Sequence, residues 1–194
     1  MEKKLLKQWT RIGLVICGVA LGVSMFVPMW SIYLQAPQYP EGLSMFLWPY
    51  KITGDYQIIN GLNHYIGMKT IHQEDFYEFK ILPYALGFFA LLCFIAAFLN
   101  TKKWLYIATA LFMIFGVAFM VDFYMWEYNY GHNLDPHAAI IVPGMSYQPP
   151  LLGSKQLLNF VAYSYPNIGG AIMIGVAAIL AILAFIEFRK PKTV

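Results

Sequence analysis

The side chains in this chain best suited to hold a soft metal ion are imidazoles and thioethers, and the imidazoles are confined. All four histidines, His64, His72, His132 and His137, fall in two stretches that separate the most apolar windows. In NGLNHYIGMK, residues 60–69, His64 and Met68 stand four positions apart, so on a helix they share one face. The second stretch, GHNLDPHAAIIVPGM, adds His132, His137 and Met145. Met45 and Met125 lie in the same two stretches, and Met25, Met29 and Met120 stand close to them. Imidazole nitrogen with thioether sulfur is the donor set that suits Cu(I). Methionine also keeps its sulfur available in a compartment where cysteine oxidises. The expected ligands are therefore His64, Met68, His132, His137 and Met145, with Asp122, Glu127 and Asp135 as hydrogen-bond partners for ring nitrogens.

The bland readings are on the same residues. A loop histidine is usually a solvated surface group, and methionine is a common packing residue in apolar chains. Asp122 ends an apolar run, where it either sits at headgroup level or pairs with a histidine or lysine.

The elements that position these residues follow from composition. The chain is 59% hydrophobic and 12% charged over 194 residues. Four windows, 12–34, 82–99, 104–124 and 168–188, are long enough to span a bilayer, which takes roughly 20 residues as a helix. Their lack of strict alternation predicts helices rather than barrel strands. The expected fold is an all-α membrane protein, one polytopic domain of four transmembrane helices. The basic start MEKKLLKQWTR resembles a signal-peptide n-region, but the apolar core that follows is too long and no cleavage pattern ends it, so an uncleaved anchor is expected.

Nine of the thirteen Lys and Arg residues lie before the first window, in the 100–103 link, or after the last window. The positive-inside rule then puts both termini in the cytoplasm of a bacterial inner membrane and both long segments, 35–81 and 125–167, in the periplasm. Cys17 and Cys93 fall inside apolar windows and read as small buried residues, so no disulfide ties the outer segments.

Those segments are rich in Tyr, Pro, Gly, Trp and Ile, which predicts two loops packed together as a small cap. Aromatic residues at the outer helix ends, including Trp30, Tyr84, Tyr124 and Trp126, read as an interfacial belt. QAPQYPEGL reads as extended or turn, YQIINGLNHYIGM as a short helix, and PGMSYQPP as turn-rich. SKQLLNFVAY reads as a short amphipathic helix capped by Ser154.

Phosphate loops, metalloprotease motifs, nucleophile elbows and paired cysteines are missing from the sequence, and the apolar windows hold no histidine for haem. Neither enzymatic activity nor nucleic-acid binding is expected. The strings LQAPQYPEGL, INGLNHYIGM and EYNYGHNLDPHAAIIVPGMSYQPPLLGSKQLLNF resemble small four-helix bacterial membrane proteins found among accessory genes for copper enzymes, notably nitrous oxide reductase. That resemblance implies an accessory role in copper handling, with His64, Met68 and His132 in the matching strings. The expectation is a cap that binds copper or hands it to a periplasmic copper enzyme, with one of denitrification as the candidate recipient. The alternative is a metal-free structural or assembly subunit that docks a periplasmic or membrane partner. A quinol-interacting subunit is a third reading, weakened by the lack of any onward electron carrier.

Overall fold

The computed structural model describes residues 5–189; Lys3, Lys4, Lys190 and Lys192, which belong to the orientation argument, lie outside the described residues. In chain order the elements are α1 Gln8–Ser24, β1 Trp30–Ala36, β2 Tyr39–Leu47, β3 Ile52–Gly54 and α2 Tyr56–Tyr65. A 3-10 turn at Gln73–Asp75 leads to α3 Glu78–Leu99 and α4 Lys102–His132. β4 Gly153–Leu157, β5 Phe160–Pro166 and α5 Ile168–Phe188 complete the chain. Three helices, α3, α4 and α5, are long and apolar enough to cross a membrane.

The fold is mixed rather than all-α. The first expected helix, 12–34, is divided: α1 ends at Ser24 and the remaining apolar residues form β1. Pro28 biases the residue before it toward extended backbone. The alternation that follows buries Ile32 and Leu34 and exposes Tyr33 and Gln35, which is a strand pattern. SKQLLNFVAY is likewise a hairpin, β4 and β5, turning at Leu158 with φ 56°. Its inward residues Leu157, Ala162 and Ser164 follow period two, and β5 supplies the backbone partners that one edge of β1 needs.

All five strands join one sheet in the order β3-β2-β1-β5-β4, and every pairing is antiparallel. The two long segments thus meet at the β1–β5 ladder, from Trp30 opposite Pro166 to Gln35 opposite Val161. The seam is locked to the bundle. Asn167, Gly169 and Gly170 donate backbone N–H bonds of 2.8–3.1 Å to the carbonyls of Pro28 and Met29. A Cβ at Gly170 would strike the Met29 carbonyl oxygen, which explains the glycine there.

Below the sheet, α1 packs on α3 and α5 around Leu14, Cys17, Leu21, Leu86, Leu105 and Leu180. At the opposite, basic end, the buried Glu187 carboxylate joins three elements. Its Oε1 accepts from the Lys7 backbone N–H at 2.9 Å and the Thr10 hydroxyl at 2.7 Å. Its Oε2 lies 3.0 Å from Lys102 Nζ.

The 31 residues of α4 extend ~46 Å at 1.5 Å each, beyond the ~30 Å hydrocarbon core. Its last two turns, beyond the apolar stretch 104–124, pack into the cap. There Trp126 and Tyr130 pack with Trp30, Ile32, Met45 and Ile59 in a second core. Tyr130 is buried in this core, and Trp126, expected in the interfacial belt, packs half-buried against it.

Candidate functional site

α2 forms because Ile59 can be buried against the sheet while Asn60 ties the helix to the following segment. The Asn60 side chain accepts from the Ile71 N–H at 2.6 Å and donates to the Ile71 carbonyl at 2.9 Å. The helix stops at Tyr65, before Met68, so His64 and Met68 do not share one helical turn. Gly67 makes the reversal, with φ +79°. Met68 N–H then donates back to the Asn63 carbonyl at 2.9 Å. The result separates the pair: His64 is exposed with its ring against Tyr65, and Met68 is half-buried against the cap core.

The loop after α4 is stitched to this corner. Asp135 N–H donates to the Gly67 carbonyl at 2.8 Å, and Ile140 N–H to the Tyr65 carbonyl at 2.9 Å. His64 from the first segment and Asp135 and His137 from the second therefore occupy one exposed surface. Asp135 Oδ1 accepts from the His137 backbone N–H at 2.9 Å and lies 3.3 Å from His137 Nδ1. The backbone bond first, then the imidazoles of His137 and His64, hold the Asp135 carboxyl below its ordinary range.

The remaining expected residues are dispersed. His132, at the end of α4, stacks on Tyr128 at 3.9 Å between ring centroids, and its Nδ1 lies 3.0 Å from the Tyr128 carbonyl. Met145 is half-buried in the turn that follows Val142, to whose carbonyl its N–H donates at 3.1 Å. His72, 2.9 Å from the Thr70 hydroxyl, belongs to the segment ahead of α3. Asp122 is exposed and lines a small cleft with Glu78, Trp48 and Trp126. Among the described residues, no three His, Cys, Asp or Glu side chains form a group able to hold a metal ion. The imidazoles make a surface patch, not a closed cage.

Glu127 is the group whose environment differs most from expectation. It is fully buried, and neither carboxyl oxygen has a hydrogen-bond partner. Burial pushes its carboxyl up to about 8, because the charged form is disfavoured in a low dielectric. On α4 it shares a face with Gly131, whose carbonyl accepts the Tyr147 N–H at 2.8 Å. The Tyr147 hydroxyl and Trp126 Nε1 are also buried without partners. Tyr147 was legible only as part of a turn-rich string, since a hydroxyl in a coil gives no periodic signal.

No protein-family model matches the chain, and no curated protein or solved structure matches it either.

Proposed function

We propose that this chain is a multi-pass accessory protein of the bacterial inner membrane whose cap binds Cu(I) and hands it to a copper enzyme outside the cytoplasm. Both termini lie in the cytoplasm in this reading, and the protein acts as a carrier rather than a catalyst. The supporting observation is the stitch between the two segments, which sets His64 beside Asp135 and His137 on one solvent-facing surface. A carboxylate partner orients an imidazole and raises its basicity as a ligand, and exposure leaves a bound ion open to transfer. The loop strings that resemble copper-enzyme accessory proteins agree with that role, including one in denitrification.

A docking subunit is the second reading, and a different observation favours it. Ile140, Ile141 and Val142 are exposed in the loop beside the histidines, where an apolar run suits a protein partner. Metal content separates the two. Protein purified from copper-replete cells should carry copper, and His64→Ala/His137→Ala should carry less. Copper-free protein that co-purifies with a second chain would favour docking.

A further inference from the structure

The cap core encloses a cavity of about 50 Å³ whose wall differs chemically from the histidine surface. Met45 and Met68 both line it, together with Trp126 and Tyr147, and the rest of the wall is mostly aliphatic. Met45 projects from β2 and is 2% exposed, so its sulfur is withdrawn from solvent. Met68 reaches the same space because the Gly67 reversal turns it off the α2 axis. That reversal is fixed from outside, since a Cβ on Gly67 would lie 2.9 Å from the Asp135 carbonyl oxygen.

Two features of the wall point to an occupant. The Tyr147 hydroxyl has no partner although the residue is 1% exposed, so a lone pair of its oxygen is available inside the core. The other polar residues on the wall are Asn63, Trp126 and Tyr130, and the remainder is hydrocarbon, the Phe160 ring and the two thioethers. The two thioethers favour a soft monovalent cation, because thioether sulfur selects Cu(I) over harder ions.

We propose that this cavity is a Cu(I) site, with the sulfurs of Met45 and Met68 as ligands and the Tyr147 oxygen as a flanking contact. The inference rests on the copper-handling reading and deepens it, dividing labour between surface imidazoles that collect the ion and buried thioethers that hold it.

The probe is Cu(I) alone, titrated without oxygen into the full chain in detergent against a chromophoric Cu(I) chelator, with X-ray absorption on the loaded protein. The parent should show sulfur in the first coordination shell. Met45→Leu/Met68→Leu keeps volume and apolar character but removes both sulfurs. It should lose the sulfur signal and more than the roughly 10–100-fold in affinity attached to a supporting partner. The triple variant His64→Ala/His132→Ala/His137→Ala should keep that signal and the tight affinity. Parent-like affinity and sulfur scattering in the methionine variant would overturn the cavity site. Loss of binding in the histidine variant alone would overturn it too, while leaving the surface reading intact. A parent that binds no Cu(I) would overturn both. Should the double variant fail to fold, each single leucine variant is expected to fall between parent and zero in sulfur signal, and two unchanged singles would overturn the site.

Discussion

Two buried glutamates, one at each end of the molecule, have opposite surroundings. Glu187 is 3% exposed and receives a lysine, a hydroxyl and a backbone N–H. Glu127 is 0% exposed and receives nothing. Desolvating a carboxylate is tolerable only when charge and hydrogen bonds replace water, as they do at Glu187. At Glu127 the alternative is to stay protonated near neutral pH. The basic end is thus a finished structural joint, whereas the sheet end holds unspent polar capacity around the cavity that Met45, Met68 and Tyr147 line.

The contrast breaks most visibly under pH. The folded value of Glu127, about 8, exceeds its ordinary 4.5, so the folded state binds the extra proton. Its contribution to stability is complete below 4.5, declines as pH rises toward about 8, and is constant above. At about 1.4 kcal/mol per unit, the loss is on the order of 5 kcal/mol. Glu127→Gln removes the titration, so denaturant or thermal unfolding in detergent should become flat across that window and exceed the parent at pH 9. An equally steep decline in the variant would show that another group is responsible.

Removing the opposite partner tests the finished joint. Lys102→Ala leaves Glu187 buried without its cation and should cost about 3–5 kcal/mol, the range for a broken buried pair. Unfolding measured at one pH is sufficient. A change below about 1 kcal/mol would place Glu187 in the class of exposed ion pairs.

A smaller effect is expected at the seam between sheet and bundle. Trp30 Nε1 donates to Ser164 Oγ at 2.7 Å, and its ring meets Phe123 edge-on at 5.3 Å between centroids. Trp30→Phe keeps the ring contact and deletes the hydrogen bond, which should lower stability by about 1 kcal/mol. Met68→Leu, a volume-conserving exchange, should shift stability little, by less than about 1.5 kcal/mol, while weakening Cu(I) binding. A large stability loss with unchanged copper affinity would make Met68 a packing residue.

Hydropathy made the bundle legible because a bilayer-length apolar run specifies a helix almost by itself. The expected windows 82–99, 104–124 and 168–188 correspond to α3, α4 and α5, although α4 runs on to His132. The sheet was hidden for the same reason. Window 12–34 joined α1 to β1 because an apolar run does not declare its period when consecutive residues such as Met29, Trp30 and Ser31 are all buried. In SKQLLNFVAY, the adjacent Leu157 and Leu158 suggested a helical stripe, yet one is buried and the other makes the turn. The histidines were visible as a set, and the backbone bonds from Asp135 and Ile140 brought His64 near His137. Met45 and Tyr147 became site candidates only through tertiary packing, which no local spacing encodes.

The central claim is that the cap handles Cu(I), and anaerobic titration of the purified parent chain tests it most directly. Cu(I) retained in competition with a chromophoric chelator, with the share on surface imidazoles released on acidification as they protonate and the share on thioethers kept, is the predicted result. A parent protein that surrenders all its copper to the chelator at every pH would contradict the account.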